Sequence, residues 1–243
     1  MLSAEKIKNL IHSHYPEASV RVFDVTDSTN TRAKEDKELS LGIICARAQT
    51  AGRGRQGHTF YSPADTGLYM SVVLPMTPME AYEFSLTAAA AVAAARAIDR
   101  LCNISVGIKW VNDLYLEGKK IAGILTEADS NRVIVGIGIN MTTEIFPADL
   151  PCAGSLGKSI DPSQLAAEIF TELASMSQSG ERGFMDEYRS RSILIGKTVA
   201  YTQNGTHKHA KAVDIDERGR LVIEDGSGQT CALDSGEIRI VMG

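Results

Sequence analysis

The chain has 243 residues, of which 44% are hydrophobic and 23% charged, enough to bury a core in one large domain or a main domain with a small companion. A formal net charge of −5 argues against a dedicated nucleic-acid binder, which carries a basic excess. The longest apolar stretch, Thr87 to Ala97, is too short to cross a bilayer, and no signal peptide opens the chain, so a cytoplasmic protein is expected.

Ser3 to His14 is predicted as an amphipathic helix with Ile7, Leu10 and Ile11 on one face, ended by Pro16. Val20 to Val25 alternates like a strand. Asp27-Ser28-Thr29-Asn30 then offers N-cap chemistry for a helix over Thr31 to Lys37; hydroxyls at such a junction serve as caps, as ligand contacts, or as both. The apolar run Leu41 to Ala46 leads into Ala48 to His58, where three glycines and two arginines alternate before a second strand, Gly67 to Leu74. Glycine lets backbone come close to a ligand, and arginine supplies a fixed fork of donors for phosphate or carboxylate. A flexible cationic loop between strands suits a site that opens for an anionic substrate and closes over it; the same pattern also describes a solvated hairpin. After Pro75 and Pro78, a long alanine-rich helix is predicted from Met79 to Leu101.

The stretch Val106 to Glu127 carries the most information. Two strand-like runs flank Glu117-Gly118, a two-residue turn that would pair Leu116 with Lys119, Tyr115 with Lys120 and Asp113 with Ala122. Lys109, Asp113 and Lys120 then share one face and Lys119 lies on the other, an assignment that a one-residue slip would reverse. Charges in strands also mark an ordinary solvent face. Beside them Gly123, Gly136 and Gly138 on neighbouring strands would leave a trough, since glycine inside a strand often marks close approach of a ligand. Asn140 ends the strand Arg132 to Asn140, where its amide either meets a polar ligand or caps the turn.

Further on, Asp161 or Ser163 caps a predicted helix reaching about Met176, and a second helix covers Glu181 to Ser192. From Ile193 short alternating runs (Thr198 to Tyr201, His209 to Ile215, Leu221 to Glu224, Gln229 to Leu233, Glu237 to Met242) are punctuated by Asn204-Gly205, Arg218-Gly219 and Asp225-Gly226. The chain therefore divides into a main domain, 1–192, and a small β domain, 193–243. His207 and His209 lack carboxylate or cysteine company, and Cys45, Cys102, Cys152 and Cys231 fit no zinc spacing, so no structural metal is expected.

Five stretches in this order resemble biotin–protein ligases: Asp27 to Asn30, Gln49 to Gly57, Lys109 to Asp113, Gly118 to Leu125 and Gly136 to Met141. The likeness covers about residues 20 to 141, and the C-terminal module resembles that family's SH3-like domain. The resemblance implies an α+β fold: a mixed β-sheet with helices packed on it, of the class II synthetase and biotin–lipoate ligase type, plus a small SH3-like barrel. It implies a biotin–[acetyl-CoA-carboxylase] ligase that joins biotin to ATP as biotinyl-5′-AMP with Mg²⁺. The acyl group then passes to a lysine of a biotin carboxyl carrier protein. Only 26 residues precede Asp27, so the type without a DNA-binding domain is expected, with no DNA or membrane partner and as monomer or homodimer.

Within that reading Lys120 stabilises charge on the α-phosphate, Lys109 neutralises phosphate, and Asn112 and Asp113 orient nucleotide, Mg²⁺ or the incoming amine. The resemblance puts Gln49 and Arg55 on biotin or its adenylate, and Ser28, Thr29 and Asn30 at the ureido end. Arg53 falls at a loop position tied to retaining the mixed anhydride, and Gly123, Gly138 and Asn140 line the trough. Lys120, Arg55 and Asp113 are the candidate catalytic residues. Two positions depart from the family: Val111 stands for proline, and Phe60 for a tryptophan beside the adenylate. The rivals are a lipoate–protein ligase or octanoyltransferase of the same fold, a DNA-binding biotin-responsive repressor, and a non-catalytic biotin-binding module.

Overall fold

Alternation along residues 132–140 sets the architecture. Every second side chain there is branched and apolar (Val133, Val135, Ile137, Ile139), while those between run Ile134, Gly136, Gly138, Asn140. Successive side chains of a strand point to opposite faces, so β7 (Arg132–Asn140) has one crowded face and one nearly bare face. The computed structural model describes residues 1–129, 131–180, 182–203, 206–234, 236 and 238–241. In it β7 is the middle strand of a seven-stranded sheet. The others are β1 (Ser19–Thr26), β2 (Gly42–Gln49), β3 (Gly67–Leu74), β4 (Gly107–Lys109), β5 (Asp113–Leu116) and β6 (Lys119–Asp129). Their order is β1-β2-β3-β7-β6-β5-β4, with β1 and β2 parallel and the other neighbours antiparallel.

The crowded face carries the main core. Leu68, Met70 and Val72 of β3 and the four branched residues of β7 pack with α1 (Ala4–Ile11), α4 (Leu86–Cys102), α5 (Pro162–Ser179) and α6 (Phe184–Ser190). On the opposite face a small cluster of Ala33, Leu39, Ile44, Val73 and Ile134 seats α2 (Thr29–Glu35). That helix covers only part of the face, and what it leaves open is the site. Arg132, almost fully buried, fixes its far end by donating to the carbonyls of Lys34, Asp36 and Leu39.

Several elements differ from their predicted form. The long helix is two: α3 (Pro78–Phe84), closed at its start by the Thr77–Glu80 capping box, and α4, with Ser85 between them in the left-handed region (φ 60°). Ser85 is held there by Arg182, which donates to its hydroxyl. α2 begins at Thr29 instead of Thr31: the Arg32 N–H already donates to the Ser28 carbonyl, and the Thr29 N–H, which Ser28 does not cap, is taken by Gln49 Oε1. Leu10 leaves the apolar face of α1 and is exposed, while Ile7 and Ile11 are buried. The run Val106 to Leu116 reverses at 110–112, so Lys109 pairs directly with Asp113.

The turn at Glu117-Gly118 has the expected pairs Leu116–Lys119 and Tyr115–Lys120, but a bulge follows and Asp113 faces Gly123 instead of Ala122. The extra residue restores the alternation, so Lys109, Asp113 and Lys120 still share a face.

The C-terminal module is one antiparallel sheet, β11-β10-β9-β8-β12, built from β8 (Thr198–Gln203), β9 (Thr206–Ile215), β10 (Leu221–Glu224), β11 (Thr230–Leu233) and β12 (Arg239–Ile240), and is SH3-like. The Asn204-Gly205 turn, the helix start at Glu181, and Glu237 and Met242 lie outside the described residues. The module is tied to the main domain: the Trp110 indole N–H donates to the Gly219 carbonyl (2.7 Å) and Arg189 donates to the Ile215 carbonyl (2.6 Å). No helix among the described residues is long and apolar enough to cross a membrane.

Alanine is the structural choice along α4, where twelve residues, Ala88 to Ala95 among them, are buried. Small side chains bring the helix close to the sheet and to α5, so an added isobutyl group has no room. Ala93→Leu is expected to cost about 1–3 kcal/mol, read from the urea midpoint. An unchanged midpoint would show this contact to be loose.

Candidate active site

On the bare face Ser71 pairs with Gly136, and Tyr69 and Gly123 flank Gly138. Above it lies a cavity of about 310 Å³. One side is the first turn of α2 with Ser28, Thr29 and Asn30; another is the β4–β5 bend with Lys109, Trp110, Asn112 and Asp113. The third is the segment after β2. Arg53 bridges to Thr59, the Gly54 N–H donates to the His58 carbonyl (2.7 Å) and the Phe60 N–H to the Gly52 carbonyl (2.9 Å), so the expected loop is a short closed hairpin. Gly236 and Ile238 bring the C-terminal module into the wall.

Every candidate site residue named from the sequence lines this cavity except Asn140. It shares the bare face with Gly138 but is not among the lining residues, because its amide donates to the Gly154 carbonyl (2.9 Å) in the segment that crosses the strand end. The trough is also narrower than three glycines suggested. A Cβ at Gly136 would collide with the Asn30 side chain, and one at Gly138 with the Phe60 ring, so the protein itself occupies part of that room.

Hydrogen bonds fix the α2 side. Gln49 Oε1 accepts from the Thr29 N–H (2.9 Å) and hydroxyl (3.2 Å), and its Nε2 donates to Ser62 Oγ (2.9 Å), which donates to the Phe60 carbonyl (2.9 Å). Ser71, wholly buried, donates to Asn30 Oδ1 (2.5 Å), while Asn30 Nδ2 donates to Glu127 Oε2 (2.9 Å). The Asn30 amide is thus turned toward protein partners.

The rest of the lining carries the charge. Arg53, Arg55, Lys109 and Lys120 line the cavity against one carboxylate among the described lining residues, Asp113, which pairs with Lys120 Nζ at 2.7 Å. Arg55 Nη1 reaches Asn112 Oδ1 at 3.4 Å, and the Lys109 ammonium sits 5.7 Å from the centre of the Tyr115 ring. The bend itself is held by Asn112, whose Nδ2 donates to the Ile124 carbonyl (2.8 Å), and by Tyr188, which donates to the Val111 carbonyl (2.9 Å). Burial pushes the Tyr188 hydroxyl far up and keeps it a donor. Lys119 points away, donating to the Pro151 carbonyl.

Sequence reasoning overlooked Ser71, Glu127, Tyr188, Gly236 and Ile238. Ser71 had a signal, as the one small polar side chain in an otherwise apolar and aromatic strand, and so had Glu127, which shares strand parity with Gly123. Nothing in the sequence marks Gly236 or Ile238.

A mixed sheet with one helix-covered face and a cationic cavity on the other is a fold of the class II synthetase type. The chain belongs to the biotin/lipoate A/B protein ligase family, whose model matches residues 22–143, and the biotin protein ligase C-terminal domain matches residues 194–240. The bifunctional ligase/repressor BirA of Bacillus subtilis is 34% identical over 226 residues, covering 84% of this chain and 69% of that protein. The biotin–[acetyl-CoA-carboxylase] ligase of Mycobacterium tuberculosis is 29% identical, covering 88% of this chain and 85% of its own length. Among solved structures, the biotin protein ligase of Aquifex aeolicus in complex with biotin and ATP superposes with a TM-score of 0.80 at 26% identity, covering 92% of this chain and 99% of that one.

Gly136→Ala tests the packing beneath the cavity. Its methyl group would collide with Asn30, which Ser71 and Glu127 hold fast, so α2 must shift. A loss of about 1–3 kcal/mol is expected in urea denaturation. Wild-type stability would mean that α2 gives way freely.

Proposed function

We propose that the cavity is where this biotin–protein ligase joins biotin to AMP and passes it to a carrier lysine. The observation that carries the reading is the gathering of four cations and one carboxylate around a glycine-floored cavity in this family's fold. The match of residues 194–240 to the biotin ligase C-terminal domain favours biotin over lipoate.

In the first step a carboxylate oxygen of biotin attacks the α-phosphorus of ATP, and the bond to pyrophosphate breaks. Charge gathers on the phosphate oxygens, where Lys120 and Arg55 lie, with Lys109 and Arg53 nearby to neutralise the rest. Asn112 is held by Ile124 and Arg55 where it can orient the nucleotide. In the second step the carrier's lysine amine attacks the acyl carbon and AMP leaves. Asp113 orients the amine and takes the proton it sheds, its carboxylate fixed by Lys120. Gln49, Ser28 and Thr29 supply the mixed donors and acceptors a ureido ring requires, and Phe60 gives an apolar wall.

Mg²⁺ fits only in company with the nucleotide. Asp113 is the one carboxylate among the described lining residues, and such a cation takes one or two carboxylates plus substrate phosphates. When bound, it would neutralise phosphate charge. Residues 1–192 would form the catalytic domain and 193–243 a module that completes the wall through Gly236 and Ile238.

The purified protein is expected to exchange pyrophosphate into ATP only when biotin is present; exchange driven by lipoate and not by biotin would sink the reading. Lys120→Ala should slow that exchange roughly 10²–10³-fold. Lys119→Ala, whose side chain lies outside the cavity, should change it by less than about twofold. Equal losses would refute the placement of Lys120.

A further inference from the structure

Glu127 lies four residues beyond Gly123 on the same face of β6, opposite Ile134, where the cavity gives way to the apolar seat of α2. Its side chain is only 16% exposed and takes three donors from two separate segments. Lys34 Nζ lies 2.6 Å from Oε1, Arg53 Nη2 lies 3.0 Å from the same oxygen, and Asn30 Nδ2 lies 2.9 Å from Oε2. Burial alone would raise this carboxyl's pKa, but the hydrogen bonds from Lys34 and Asn30 and the charges of Lys34 and Arg53 draw it below its ordinary value. It therefore carries full charge where Arg53 meets it.

Arg53 opens the hairpin that covers the cavity. Among the described residues, side-chain bonds from residues 53–59 to the body of the protein are two: Arg53 to Glu127, and Arg55 to Asn112 at a long 3.4 Å. Glycines at 54 and 57 give the hairpin little packing of its own. The contact to Glu127 is thus the stronger anchor. The same carboxylate also sets the Asn30 amide, so one group fixes both the hairpin and the first turn of α2.

We propose that Glu127 is a positioning residue that latches the Gly/Arg hairpin through Arg53 and holds it closed over the acyl-adenylate between the two half-reactions. It touches no reacting atom. The proposal rests on the ligase reading above and adds to it the residue that keeps the intermediate in place. An activated acyl phosphate must wait in the cavity for a carrier lysine, and a cover tied down by a charge pair both retains it and excludes water.

The test is the rate at which biotinyl-AMP formed on the enzyme escapes in the absence of carrier, followed with labelled biotin after removal of free ATP and biotin. Glu127→Gln removes the charge yet keeps a hydrogen-bond acceptor for Asn30, and should speed escape about fivefold, the scale of a partly exposed ion pair. Arg53→Gln breaks the same contact from the hairpin side and should speed escape at least as much. The double variant should be no faster than Arg53→Gln alone, because both remove one latch. Lys34→Gln, which touches Glu127 but not the hairpin, should raise the rate clearly less than Glu127→Gln. Escape from Glu127→Gln at the wild-type rate, multiplying effects in the double variant, or an equal rise in Lys34→Gln would each overturn the latch. Absence of biotin-dependent pyrophosphate exchange in the unaltered protein would instead defeat the ligase reading itself.

Discussion

Packing of Val133, Val135, Ile137 and Ile139 against the helical layer leaves β7 no choice about where Gly136 and Gly138 point. A one-residue slip of that strand would bury the bare positions and expose four branched side chains, at a cost of several kcal/mol in lost apolar burial, about 1.5–3 kcal/mol for each. The site's floor is therefore fixed by the core on the other side of the sheet. Ser71 and Gly123 take their places by pairing with that strand, opposite Gly136 and Gly138.

On this floor the chain builds a local charge opposite to its own. The whole sequence carries −5, yet the cavity gathers four cations against one carboxylate among its described residues. Like charges so close repel unless acids or a ligand sit between them. The structure supplies acids sparingly, Asp113 beside Lys120 and Glu127 beside Arg53, which leaves a field suited to polyphosphate. The hydrogen-bonded series from Thr29 through Gln49 and Ser62 to Phe60 joins the uncharged end of the cavity to the foot of the hairpin.

Much of this was legible from residue spacing. The strand limits Gly67–Leu74 and Arg132–Asn140 follow from apolar patterning bounded by polar residues, and Glu117-Gly118 sets the pairing of Tyr115 with Lys120. Three things were hidden for physical reasons. The left-handed Ser85 depends on a distant arginine, so no local propensity marks the break between α3 and α4. The bulge beside Leu114 changes the partner of Asp113 without any change in composition. The Asn30 side chain reads as a ligand contact because its environment, Ser71 and Glu127, arrives from strands about 40 and 100 residues away.

The chain contains a single tryptophan, and it lies in the cavity wall with its indole N–H given to a carbonyl of the C-terminal module. Indole emission depends on polarity and hydrogen bonding around the ring, so the protein's tryptophan fluorescence, excited apart from its seven tyrosines, comes from one place with two neighbours of interest. Filling the pocket alters one side of the ring; loosening the small β module alters the other. Ligand occupancy and the seating of the small β module can thus be watched in the native chain, without a dye or an engineered label.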